Sequence, residues 1–142
     1  MINDNLALTG ALSIAINDEV VQKTNNLVVT AGKEWVADRM ADANTVMTHM
    51  AIGTGTTAAA AGDTALVTEA DRNALTTSGG TVSTNTIQYA TTWAAGDGTG
   101  AITEAGIFDA ATAGDMLART VFSVVNKGAS DSMTITWTIT VS

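Results

Sequence analysis

From Met133 to Ser142 apolar and polar residues alternate without a slip, Met-Thr-Ile-Thr-Trp-Thr-Ile-Thr-Val-Ser. A period of two puts Met133, Ile135, Trp137, Ile139 and Val141 on one face of a β-strand and a ladder of threonines on the other. The apolar face belongs to a core. The other face carries neutral threonine where a solvated strand more often carries Lys or Glu, which points to contact with other protein as well as water.

Similar parity recurs upstream. Leu6, Leu8, Leu12, Ile14 and Ile16 predict a strand over residues 5–16, then an Asn17-Asp18 turn and a less regular returning strand over 20–29. Thr30 has the chemistry of a helix N-cap, and Trp35, Val36 and Met40 share one side of the segment 31–43, the one helix expected. A helix this short needs a sheet beneath it. Further strands are expected at 46–53, 81–93, 102–108 and 116–125, with turns at 95–100, 110–115 and 126–131. Residues 66–77 fit either a short helix or an irregular strand. Residues 54–65, Thr-Gly-Thr-Thr-Ala-Ala-Ala-Ala-Gly-Asp-Thr-Ala, hold too little apolar bulk to be pinned, so a loop that is mobile unless a partner covers it is expected there. Short strands separated by turn chemistry predict a mainly β fold. The expected form is one antiparallel β-sandwich or β-barrel-like domain over 1–142, with one short helix and residues 1–8 as an N-terminal arm.

Composition narrows the function. Charged residues make up 14% of the 142 residues, against about 25% in an average soluble domain, and the net charge is −8. Gripping nucleic acid or an anionic membrane needs clustered positive charge, so neither partner is expected. Cysteine is absent, which removes disulfides, thiolate nucleophiles and cysteine-ligated zinc. Proline is absent too, so turns fall to Gly, Asn and Asp. Met1-Ile2-Asn3-Asp4-Asn5 lacks the basic start of a secretory signal, and synthesis in the cytoplasm is the expectation. A surface of Thr, Ala, Asn and Gly carries little rotamer entropy and packs flat against neighbours at modest cost.

Candidate chemistry is sparse. His49 is the lone histidine, without a second His or a Cys to complete a triad or zinc site. Gly53-Thr54-Gly55-Thr56-Thr57 lacks the Gly-Lys-Ser/Thr ending of a phosphate-binding loop. Asp97, Asp109, Asp115 and Asp131 lie in or beside small-residue turns, without the alternating spacing of a calcium loop. Met40, Met47 and Met50 read as filler for a core short of aromatics. That same shortage argues against a sugar-binding cleft. No catalytic, cofactor or metal residue is expected, and the chain reads as a non-enzyme.

Four segments carry a resemblance. They are Met50-Ala51-Ile52-Gly53-Thr54-Gly55-Thr56-Thr57, Ile102-Thr103-Glu104-Ala105-Gly106-Ile107-Phe108, Met116-Leu117-Ala118-Arg119-Thr120-Val121-Phe122 and Asn126-Lys127-Gly128-Ala129-Ser130-Asp131. Together with the Thr-rich end they resemble tailed-bacteriophage structural proteins, over roughly residues 25–142. Similar stretches occur in small capsid decoration (cement) proteins and in tail-fibre or baseplate proteins. The absence of a shaft or tip after Ser142 favours the decoration class. The resemblance implies a virion protein on the capsid surface, commonly a homotrimer, whose partner is the phage major capsid protein. A tail-fibre or baseplate adaptor is the alternative. Within this reading the expected contact residues are Met1, Ile2, Asn3 and Leu6 on the arm, Thr54, Thr56 and Thr57 on the loop, and Thr136 and Thr138 on the last strand. The turn at 126–131 is an exposed, chemically mixed edge. The motifs themselves carry no chemistry in this reading.

Overall fold

The computed structural model describes residues 4–142, and Met1, Ile2 and Asn3 lie outside the described residues. The strands are β1 (Leu8–Ile16), β2 (Glu19–Asn25), β3 (Leu27–Val28), β4 (His49–Gly53), β5 (Glu69–Ala74), β6 (Thr81–Ser83), β7 (Thr86–Trp93), β8 (Gly100–Phe108), β9 (Met116–Lys127) and β10 (Met133–Val141). One helix, α1 (Thr30–Met40), follows β3. They form two five-stranded antiparallel sheets, ordered β2-β1-β10-β7-β6 and β3-β9-β8-β4-β5. The fold is therefore a β-sandwich, and the barrel alternative falls away.

The core lies between the sheets. Leu12, Ile14, Tyr89, Trp93, Met133, Ile135, Trp137 and Ile139 from the first sheet meet Met50, Ile52, Ile102, Ile107, Leu117, Phe122 and Val125 from the second. The alternation of β10 survives intact, with Ile135 and Trp137 fully buried and the threonines half-buried; only Val141, at the strand end, opens to solvent. Asn17 and Asp18 both adopt left-handed φ values, 49° and 68°, the conformation a two-residue hairpin turn requires.

Several boundaries differ from expectation. The returning strand predicted over 20–29 breaks at Asn26, where the chain passes from one sheet to the other. There the Asn26 Oδ1 accepts the Trp137 Nε1–H at 2.8 Å, in space left free because Gly10 has no Cβ. The helix spans 30–40 instead of 31–43. Its N-cap is Val29, whose side chain offers no acceptor, and the Thr30 N–H is taken by the Ala61 carbonyl at 2.8 Å. It stops where Asp42 turns left-handed (φ 54°) and the Ala43 N–H returns to the Asp38 carbonyl. Strand β4 begins at His49, later than expected, and the segment 81–93 is a hairpin turning at Thr84 (φ 51°). Residues 66–77 hold an irregular strand, β5, and no helix. The turn predicted from Asn126 starts later, since β9 continues to Lys127, which is buried with its Nζ donating to the Ala94 carbonyl at 2.9 Å. Met47 and Met50 fill the core as expected, whereas Met40 is 84% exposed at the helix end.

Helix α1 sits directly on the backbone of β9. A Cβ at Gly32 would collide with the Leu117 carbonyl oxygen, which also accepts the Val29 N–H at 3.3 Å. Helix propensity alone favours Gly32→Ala by about 1 kcal/mol. Overpacking works the other way, and the net expectation is a loss of at least about 1 kcal/mol in urea unfolding. A stabilised variant would show that α1 can lift off β9 without cost.

Candidate contact face and a buried ion-pair clasp

Strand β10 lies at the centre of its sheet, so its threonines become the middle of a face. Four rungs cross β1, β10 and β7 there: Thr9-Thr140-Thr86, Ala11-Thr138-Gln88, Ser13-Thr136-Ala90 and Ala15-Thr134-Thr92. No rung holds a charged residue. The Thr92 and Thr134 hydroxyls are 2.8 Å apart and bond across the strands. Beside the rungs, β2 places Lys23 and Asn25 opposite Ser13 and Ala11. With Gln88, Thr136 and Thr138 these residues line a shallow depression of about 640 Å³. Thr136 and Thr138 thus occupy the outer face of the sheet.

The other expected contact residues lie elsewhere. Leu6 is 72% exposed, just before the Ala7 and Ser142 backbones bond to each other at 2.8 and 2.9 Å. It borders a groove of about 490 Å³ shared with Leu27, Val28, Lys33 and Val36. Met1, Ile2 and Asn3 fall outside the described residues. Thr54, Thr56 and Thr57 are exposed on a segment that crosses the outer face of the opposite sheet. They and the β10 threonines therefore cannot form one continuous surface.

That segment is not the unpinned loop its composition predicts. Glu104 on β8 and Arg119 on β9 project from the sheet beneath it, and both are 0% exposed. Glu104 Oε1 accepts the N–H groups of Gly55 (3.0 Å) and Thr68 (2.7 Å). Its Oε2 accepts Val67 N–H at 3.0 Å and the Arg119 Nε and Nη2 groups at 3.1 and 2.8 Å. Arg119 donates onward, from Nη1 to Asp63 Oδ2 at 2.8 Å and from Nη2 to the Thr57 carbonyl at 2.9 Å. Thr103 Oγ1 donates to the Gly55 carbonyl at 2.8 Å. Beside this clasp a small second cluster, Val29, Ala51, Leu66, Phe108 and Met116, packs outside the main core. Gly53 and Gly55 are needed here, since a Cβ at either would meet a Glu104 oxygen. The apolar motifs around Glu104 and Arg119 therefore do carry chemistry, of a structural kind. One signal was available: Glu104 is the only charged residue in β8, and Arg119 stands alone among the apolar residues of the first half of β9.

Burial pushes the Glu104 carboxyl up, but the bonds from Thr68, Arg119, Val67 and Gly55 together outweigh it and leave the group below its ordinary value of 4.5. A carboxyl depressed on folding contributes stability that is complete above the unfolded value and disappears as pH falls through the folded one. Acidification below about pH 4.5 is accordingly expected to weaken the wild-type fold more than a Glu104→Gln variant. Parallel melting curves that fall equally with pH would contradict that assignment.

The remaining candidates play local roles. His49 Nδ1 lies 2.8 Å from Thr48 Oγ1, and burial and the nearby Arg72 charge both lower its pKa. Arg72 stacks 3.8 Å over the Phe108 ring and donates to the Ala110 and Ala113 carbonyls, holding the turn between β8 and β9. Asp109 accepts the Asp115 N–H at 2.7 Å, and Asp131 accepts the Gly128 N–H at 2.8 Å, as turn-forming aspartates do. Among the described residues no three His, Asp or Glu side chains converge as metal ligands, and no helix is long and apolar enough to cross a membrane. Comparison with protein-family profiles, curated proteins and solved structures returned no match.

Proposed function

We propose that this chain is a structural protein of a tailed-bacteriophage virion, a decoration protein that binds the outer capsid shell and stiffens it through protein–protein contacts. The observation that carries the reading is the uncharged four-rung face centred on Thr136 and Thr138. Its side chains are short, lose little rotamer entropy on contact, and offer hydroxyls to a partner backbone. The motif resemblance supplies the virion and the partner, the major capsid protein. A homotrimer is the proposed state, in which each contact adds avidity over the shell lattice.

Purified chain added to shells stripped of accessory proteins tests this reading. Trimers that bind the shells and raise their disruption temperature are the expected result. Monomers indifferent to shells would overturn it, and a labelled chain found on the tail would transfer the role to a tail-fibre or baseplate adaptor. Thr136→Lys is expected to leave the unfolding free energy within about 0.5 kcal/mol of wild type, as surface changes do, while weakening shell binding at least about tenfold through a desolvated charge. Unchanged binding would remove the threonine face from the contact.

A further inference from the structure

The clasp joins two parts of very different apolar content. Residues 54–68 cross the second sheet with mostly exposed side chains; Leu66, 8% exposed, is their one buried large apolar residue. Leu66 seats over Gly106, where an added Cβ would meet it at 3.0 Å. The two ends of the segment meet at a neck, with Thr54 N–H on the Thr68 carbonyl at 3.0 Å and Gly53 paired with Glu69 in the β4–β5 ladder. Every sheet bond lies outside the neck. The far end touches the body through the Ala61 carbonyl, which accepts the Thr30 N–H of the helix at 2.8 Å.

We infer that residues 54–68 form a strap that opens and closes as one unit on the intact sandwich, with the Glu104–Arg119 pair as its latch. Segments with few buried apolar contacts open at lower free energy than the core, in contiguous cooperative pieces. This strap has one apolar plug and a shut neck, so lifting it leaves both sheets paired. Its hold on the body is concentrated in the two latch side chains, which bind it at Gly55, Thr57, Asp63, Val67 and Thr68. Loss of the latch leaves only the Thr103 and Thr30 bonds and the Leu66 plug, and so loosens the whole length together. Opening bares Glu104, Arg119 and the hollow over Gly106, and it returns both charges to water. The inference is independent of the virion reading.

Amide hydrogen exchange of the full chain at neutral pH under low denaturant tests it. In the wild type, the Gly55, Val67, Thr68 and Thr30 amides are expected to share one opening equilibrium with a weak denaturant dependence. Their protection should be at least about 100-fold below that of Ile135 and Trp137. Thr30 is the informative member, because it belongs to the helix and reports the strap only through Ala61. Glu104→Gln is expected to speed exchange of all four by about 30-fold or more and to change Ile135 and Trp137 less than about threefold. Leu66→Ala, which leaves the latch in place, should accelerate the same four. Four unrelated rates in the wild type, or strap and core amides that exchange through one global opening, would overturn the inference.

Discussion

Ile135→Asp is expected to leave the chain unfolded at room temperature. Ile135 is fully buried on β10, between Ile14 on β1 and Thr91 on β7. The substitution removes an aliphatic side chain whose truncation alone costs about 2–5 kcal/mol. It also inserts a carboxylate with no partner, since the core around it is apolar and the Thr91 hydroxyl already donates to the Ala74 carbonyl, a cost of several kcal/mol even after the group takes up a proton. The sum reaches the whole stability of an ordinary domain, about 5–15 kcal/mol. Trp93 and Trp137 lie in the same core, so their fluorescence reports the loss directly. Ile135→Val, at about 1 kcal/mol, is the control that keeps the fold. An aspartate variant with the wild-type melting temperature would mean that the face of β10 turned inward has been misassigned.

This prediction is legible in the last ten residues alone, because a strand that alternates without interruption has only one way to face a core. The hairpin turn at Asn17-Asp18 is legible for a similar reason, since two adjacent residues that tolerate left-handed φ separate two apolar runs. What local pattern cannot contain is the neighbour. Nothing in 133–142 says that β10 lies between β1 and β7, yet that placement turns a threonine stripe into a face three strands wide. The helix start shows the same limit. Thr30 has the right side chain for a cap, but the helix already begins there, with Val29 at the cap position and the Thr30 N–H bonded to Ala61, distant in sequence. Residues 54–65 show it most plainly. Counting apolar bulk is a sound test for a segment held by hydrophobic burial, and it fails here because the hold is a carboxylate and a guanidinium on β8 and β9. Lys127 fails in the same way, as a charge at a strand end reads as turn until the Ala94 carbonyl is seen to receive it.

Arg119→Met carries the second large expected effect, a stability loss of about 3 kcal/mol. Removing one partner of a buried ion pair costs about 3–5 kcal/mol when the remaining charge stays buried. Glu104 would keep its three N–H donors but lose the cation that balances it; the Thr57 carbonyl would lose its Arg119 donor, and Asp63 would be left with the Ala60 N–H alone. The lower end of that range is expected because the strap gives the stranded carboxylate a way out. Once residues 54–68 lift, Glu104 regains water, so the penalty cannot exceed the free energy of opening the strap. The double variant Glu104→Gln/Arg119→Met isolates the pair. It removes both charges while leaving an amide oxygen to accept from Gly55 and Thr68, and it should be more stable than Arg119→Met alone by at least about 1 kcal/mol. Replacing buried pairs as a unit is often close to neutral, whereas breaking them is not. Here Val67 N–H would still lose its acceptor to the new amide NH₂, so full recovery is not expected. Urea unfolding of the four proteins in the cycle decides the matter: strictly additive losses would mean that Glu104 and Arg119 hold the strap separately, each through its own backbone contacts.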